Sequence, residues 1–117
     1  MSRPVLVLAA LLGLASVGFG AFGAHGVADA KAQEWLRTGA VYGLTHVVAA
    51  FVAAQLGARW APRAFVAGVV VFAGTLWAMA LGAPRVLGAV TPVGGVLLMV
   101  GWGLTACSLL WGKRGQA

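Results

Sequence analysis

The sequence has very few of the residues from which soluble enzymes build a site. Of its 117 residues only Asp29 and Glu34 are acidic, and Cys107 is the single cysteine. One cysteine excludes an internal disulfide and a cluster of thiolate metal ligands. Both acids lie between apolar segments, so the chain has neither paired carboxylates for acid–base catalysis nor a carboxylate inside an apolar segment for ion-coupled transport. We therefore expect neither an enzyme nor an autonomous ion-coupled transporter.

Apolar residues dominate the chain. The composition is 62% hydrophobic with eighteen glycines, and the mean hydropathy is +0.97. Four apolar stretches, at about 4–24, 38–56, 64–81 and 92–111, each approach the roughly 20 residues that a helix needs to cross a bilayer. The first also resembles a signal peptide, but its apolar run is longer than usual and we expect it to be retained. The sequence predicts an all-α integral membrane bundle of four transmembrane helices, forming a single domain.

The eight basic residues stand singly or in pairs between the apolar stretches. This arrangement is typical of membrane flanks and excludes the basic stripe that binds nucleic acid. With four spans, the larger group lies on one side of the membrane and the smaller group on the other. The larger group is Arg3, Arg59, Arg63, Lys113 and Arg114, and the smaller is Lys31, Arg37 and Arg85. Because cytoplasmic flanks are richer in Lys and Arg, we predict that both termini are cytoplasmic.

Residues 27–37, between the first two spans, are too polar to cross a membrane. Charged residues recur there at intervals of three, while Trp35 and Leu36 can lie against the bilayer. This pattern predicts a short interfacial helix between helices 1 and 2. Within the spans, small residues recur four apart, as at Gly39 and Gly43, which predicts close antiparallel packing of neighbouring helices.

Two histidines and a tyrosine are the first candidates for chemistry. His25 lies where the first span leaves the membrane, and His46 lies about seven residues, or ~10 Å, into the second. Tyr42 precedes His46 by one turn and shares its face. An ionisable group inside a membrane is costly, so His46 is a functional candidate, although a neutral imidazole hydrogen-bonded to a neighbouring helix is the structural alternative. With no acid or cysteine beside the histidines in the spans, we expect no metal site.

The start of the fourth span adds to this site. Thr91 can cap the helix that Pro92 opens, and the two glycines that follow leave its first turn thin enough for a helix or a ligand to approach. Four-span topology places this turn and two arginines on the same side as the histidines. The predicted ligand site near the outer leaflet comprises His25, Arg37, Tyr42, His46, Arg85, Thr91 and Pro92. We assign it no cofactor; quinone and haem are the less favoured alternatives.

Four short stretches of the chain, in order, resemble the hallmark segments of a known family. They are residues 20–26 (GAFGAHG), Thr38-Gly39 with Tyr42 and His46, residues 72–76 (FAGTL) and residues 88–95 (GAVTPVGG). On these segments the chain is similar to the YgdD-like family of uncharacterised four-helix bacterial inner-membrane proteins. The resemblance implies an inner-membrane location and carries no established reaction. The family's motifs include the positions of His25, Tyr42, His46, Thr91 and Pro92. The chain departs from the family in having Gly43-Leu44-Thr45 before His46, where a second aromatic residue is common.

Two functions fit these features. The leading expectation is an accessory subunit that packs with or stabilises a larger membrane complex, with self-association into a homo-oligomer also open. The alternative is a binding module or small permease-like protein whose outer-leaflet pocket holds a lipid, quinone or other amphiphile. In that case Tyr42 and His46 would supply hydrogen bonds, and Arg37 or Arg85 would attract an anionic head group. The chain is similar in size to the small multidrug exporters, but those proteins export lipophilic cations with a glutamate in the first membrane helix. The first span here has no glutamate, so we set this third function aside.

Overall fold

Four long helices make up the computed structural model, which describes residues 2–112. They are α1 (Arg3–His25), α2 (Ala30–Gln55), α3 (Ala61–Ala80) and α4 (Thr91–Trp111), with a 3₁₀ turn over Arg85–Ala89 before α4. All four are long and apolar enough to cross a membrane. The all-α fold with four candidate spans is therefore confirmed. Lys113 and Arg114, two of the basic residues assigned to the cytoplasmic side, lie outside the described residues. The orientation of the helices in the membrane stays a prediction.

The separate interfacial helix expected between the first two spans is not present. Residues 30–37 instead form the first two turns of α2, which continues without a break. The Asp29 carboxylate accepts a hydrogen bond from the Ala32 amide at 2.9 Å, and the Gln33 side chain donates to the Val27 carbonyl at 2.6 Å. These contacts fix the helix start, and the good helix formers that follow contain no proline or glycine at which the helix would end. The polar segment therefore extends α2 beyond its apolar part.

Left-handed glycines end α2 and α3. Gly57 has φ +82° and Gly82 has φ +108°, a conformation that costs a side chain about 1–2 kcal/mol. After α2, the amide of Ala58 donates to the carbonyl of Ala53 at 3.0 Å, and an equivalent bond follows Gly82. Such Schellman-type ends satisfy the last carbonyls of a helix and reverse the chain within a few residues. At these two ends the chain reverses, so α3 runs antiparallel to α2, and α4 runs antiparallel to α3.

Helices α2 and α3 form the centre of the bundle. Helix α1 packs on α2 and less extensively on α3, while α4 packs on α3. The core centres on Phe65, Leu36 and Val69, which are fully buried. Large apolar side chains on the outer faces of α1 and α4 are exposed, among them Leu14 and Met99. Such outer faces suit contact with lipid.

Glycines determine how closely the helices approach one another. A Cβ atom built on Gly43 would lie 2.5 Å from the Ser16 hydroxyl of α1, and one built on Gly94 would lie 2.8 Å from the Cα atom of Phe72 in α3. No side chain fits in either place. Gly74, by contrast, has no atom within 4 Å of its built Cβ. Small-residue packing thus operates at some of the repeated positions and not at others.

Candidate functional site

His46 lies in the middle of α2 and is 7% exposed. Its Nδ1 is 2.7 Å from the carbonyl oxygen of Tyr42, one turn earlier, and its Nε2 is 3.0 Å from the indole Nε1 of Trp102 in α4. An indole N–H only donates, so Nε2 accepts this bond and the ring proton resides on Nδ1, which donates to the Tyr42 carbonyl. His46 is therefore a neutral imidazole with both nitrogens engaged.

Aromatic rings from three helices surround this imidazole. The Tyr42 ring is parallel to it at 6.0 Å between centroids, and Phe65 and Trp102 lie 5.8 and 5.9 Å away. Phe72 lies 4.9 Å from Tyr42. Because Phe65 and Phe72 belong to α3 and Trp102 to α4, the cluster holds α2, α3 and α4 together.

Sequence reasoning missed Trp102 as the partner of His46. A signal was present, because this tryptophan lies in the middle of an apolar span, away from the membrane surfaces where tryptophans are enriched. An indole N–H inside hydrocarbon needs an acceptor, and the chain has few side-chain acceptors within its spans. The two residues are 56 positions apart, so only the folded chain shows that they meet.

A cavity of about 420 Å³ opens beside this cluster, on the surface of the bundle between α2, α3 and α4. Its volume lies within the range of small-molecule sites, about 300–1,000 Å³. Three of the predicted site residues line it, namely Tyr42, His46 and Pro92. Gly95 lines it as well, so the thin first turn of α4 contributes to the opening. The remaining lining residues are Phe72, Val96, Leu98, Met99 and Trp102.

Thr91 has a different position from the one predicted. It is the first residue of α4, and Val90 occupies the N-cap position, because the preceding 3₁₀ turn leads directly into the helix. The buried Thr91 hydroxyl lies 2.6 Å from the hydroxyl of Thr75 in α3 and 3.2 Å from the Leu87 carbonyl. Each hydroxyl has one proton, so one of the two donates to the other and the second donates to a backbone carbonyl. Thr91 thus joins α3 to α4 and does not line the cavity.

The two histidines do not share a site. His25 is the exposed last residue of α1. Where α1 crosses α2, a Cβ atom built on Gly13 would lie 3.5 Å from Cγ2 of Val47, the neighbour of His46. His25 is twelve residues beyond Gly13, which corresponds to roughly 18 Å along the helix axis. The expectation that both imidazoles converge near one membrane surface does not hold in this structure.

The predicted arginines also separate. Arg37 is exposed on α2. The Arg85 guanidinium lies 5.6 Å from the ring centroid of Trp35, and the Lys31 ammonium lies 5.8 Å from the same ring. Since Trp35 precedes Tyr42 by seven residues, the two lie on nearly the same face of α2 about 10 Å apart. Two cations are thereby held on the side of the bundle that carries the cavity.

Comparison with known proteins assigns the family. Residues 19–95 match the family model described as "Protein of unknown function (DUF423)". The chain belongs to the DUF423 family. It is 36% identical to a UPF0382 membrane protein of Haemophilus influenzae, over 87% of this chain and 90% of the relative. It is 36% identical to the UPF0382 membrane protein YwdK of Bacillus subtilis, over 83% and 88%. It is 35% identical to the UPF0382 inner membrane protein YgdD of Escherichia coli, over 97% and 94%.

These findings confirm the predicted resemblance to the YgdD-like family. The chain is a membrane protein, and the relative from Escherichia coli is named as an inner membrane protein. The DUF423 match includes Tyr42, His46 and Pro92, whereas Trp102 lies beyond its last matched residue. No solved structure matches the chain. The names of these relatives state no reaction, substrate or partner.

Proposed function

We propose that the protein is a non-catalytic binding module that holds an amphiphile in the cavity between α2, α3 and α4. The observation that supports this proposal is the convergence of Tyr42, His46 and Pro92 on one opening of about 420 Å³. The other walls are apolar or aromatic, which suits the chain or ring of a lipid or quinone. The accessible polar groups are few, as expected for a ligand that enters from the bilayer.

Tyr42 is the side chain best placed to recognise such a ligand. Both nitrogens of His46 and the indole N–H of Trp102 already have partners. Tyr42 is 46% exposed, so its hydroxyl can donate to an ester or quinone oxygen. His46 then acts as a positioning residue, because its ring stacks on Tyr42. Arg85 and Lys31, both held on Trp35, supply positive charge for an anionic head group at the membrane surface.

Filling the cavity tests the proposal. Val96 lines the cavity and is 58% exposed, while Val93 is 56% exposed on the same helix and does not line it. Val96→Trp should abolish retention of a lipid or quinone from bacterial membrane extract, measured by native mass spectrometry after detergent purification. Val93→Trp should retain the ligand as the wild type does. Equal retention by both variants would exclude this cavity as the binding site.

An accessory role has a separate structural basis. An apolar groove of about 870 Å³ runs along α1 beside Leu44 of α2 and includes Gly13 and Gly18. A Cβ built on Gly18 meets no atom within 4 Å, so the backbone there is open to a helix of another membrane protein. Gly18→Leu should remove a partner that co-purifies with the wild type in mild detergent. The matched variant Gly103→Leu, on the open face of α4, should not; loss with both or with neither would contradict this role.

A further inference from the structure

A second cavity, of about 510 Å³, lies at the opposite end of the bundle. It forms where the start of α1, the end of α2 and the start of α3 meet. Ser2 lines it from just before α1, and Gly57 from the turn after α2. Arg59 lines it from just before α3, and Arg63 from the first turn of α3. It shares no lining residue with the cavity beside His46. The two are therefore separate sites.

Trp60 holds both arginines of this cavity in place. The Arg59 guanidinium lies 5.4 Å and the Arg63 guanidinium 4.9 Å from the Trp60 ring centroid. Nη1 of Arg63 also donates a hydrogen bond to the Arg59 carbonyl at 2.8 Å. A guanidinium has five N–H donors, so most donors of each arginine remain for other partners. The two positive charges are thus held beside one cavity by contacts that do not neutralise them.

No carboxylate side chain is near these charges. The only acids of the chain are Asp29 and Glu34; Asp29 caps α2, and Glu34 lies 3.6 Å from Lys31. Both are at the far end of α2, about 30 Å (Glu34) and about 38 Å (Asp29) along its axis from Ala54, which lines the cavity. Helices α1 and α3 start at the cavity, and neither has a side-chain cap. The positive ends of these two helix dipoles add to the charge of the arginines.

We propose that this cavity binds a phosphate group, carried either by the head group of an acidic phospholipid or by a free phosphate ion. Guanidinium groups bind phosphate through paired N–H donors and are less strongly hydrated than ammonium groups. A bound phosphate also relieves the repulsion between Arg59 and Arg63. Val5, Leu6 and Pro62 line the same cavity, which gives the glycerol and upper acyl carbons of a lipid an apolar wall. The site lies at the end of the spans, where phospholipid head groups are.

Competition between lipids in native mass spectrometry tests this proposal on the full-length protein in detergent. The probes are phosphatidylglycerol, phosphatidylcholine and inorganic phosphate. The wild type should bind phosphatidylglycerol at least about tenfold more tightly than phosphatidylcholine, equivalent to about 1.4 kcal/mol. In a Val96→Trp background, which fills the cavity beside His46, the Arg59→Gln/Arg63→Gln variant should lose this preference. Arg37→Gln, which removes an exposed arginine that lines neither cavity in the structure, should keep it.

Competition with inorganic phosphate distinguishes a lipid head group from a free phosphate ion as the ligand. If millimolar phosphate displaces phosphatidylglycerol, the site recognises the phosphate group itself; if it does not, the preference requires the lipid. Ala54→Phe narrows the cavity without changing charge, and it should also lower phosphatidylglycerol binding. The proposal is overturned if the preference for phosphatidylglycerol is unchanged in the double arginine variant or in Ala54→Phe. It is also overturned if the wild type binds both lipids equally and, in addition, binds no inorganic phosphate.

Discussion

Trp102→Phe should destabilise the bundle although the new side chain is fully apolar. The substitution keeps an aromatic ring beside Phe65, whose centroid lies 5.1 Å from that of Trp102. It removes the indole N–H that donates to His46 Nε2 at 3.0 Å. The imidazole acceptor then loses its protein partner, and the hydrocarbon of the bilayer cannot replace it. Because the smaller ring also loses packing contacts, the cost of this variant alone does not equal the strength of the hydrogen bond.

A double-mutant cycle isolates the hydrogen bond. The four proteins are the wild type, Trp102→Phe, His46→Phe and the double variant. Hydrogen bonds between transmembrane helices average about 0.6 kcal/mol and reach about 1.7 kcal/mol. His46 is 7% exposed and the donor–acceptor distance is near ideal, so we expect a coupling energy in the upper part of that range, about 1–1.5 kcal/mol.

Reversible unfolding in mixed micelles, followed by circular dichroism at increasing dodecyl sulfate, measures this coupling. Trp111→Phe is the control, because Trp111 is 73% exposed at the end of α4 and should change stability by less than about 0.5 kcal/mol. A coupling energy below about 0.3 kcal/mol, with both single variants clearly destabilised, would show that the imidazole and indole do not bond. The Nδ1 proton would be unaffected by that result, because the Tyr42 carbonyl only accepts and Nδ1 must donate to it.

Three further predictions use the same unfolding measurement. Gly94→Ala should lower the free energy of unfolding by about 2 kcal/mol or more, because its methyl group would overlap the α3 backbone. Gly74→Ala, where the built Cβ has open space, should be neutral or slightly stabilising. Equal effects of the two variants would refute the close packing at Gly94. Thr91→Val should cost about 1 kcal/mol by removing its hydrogen bond to Thr75, and no loss would show that this pair does not form. Asp29→Ala should cost about 1 kcal/mol by removing the α2 cap, whereas an unchanged helix start in amide exchange would contradict that role.

The spans could be predicted from the sequence because bilayer thickness fixes the length of a crossing helix. The extension of α2 was also present as a signal, since Asp29 precedes nine residues without glycine or proline. The prediction of an interfacial helix gave more weight to the polarity of those residues than to their helix propensity. Polarity decides whether a helix is in lipid, whereas capping and propensity decide whether it is continuous.

The candidate site was predicted only in part. Tyr42 and His46 share a helix face by simple periodicity, and this placement holds in the structure. The depth of His25 relative to His46 depends on how α1 and α2 cross, at close approaches such as that of Gly13 to Val47, which no local pattern reveals. For the same reason Trp102 and the Thr75–Thr91 pair become visible only in three dimensions. Contacts between helices far apart in sequence are set by packing, and a single sequence carries little direct information about them.

The different lengths of the two central helices have a consequence for the membrane around them. Helix α3 has 20 residues and α2 has 26, or about 30 and 39 Å of helix. The surplus of α2 is its polar start, and Arg63 is the third residue of α3. The apolar part of α3, residues 64–80, therefore sets the hydrophobic thickness to which the protein is matched, about 26 Å. In a thicker bilayer, lipid would have to thin locally or cover Lys31 and Glu34, and in a thinner one the bundle would tilt. The unequal helices thus favour residence in a membrane of ordinary thickness over a thickened one.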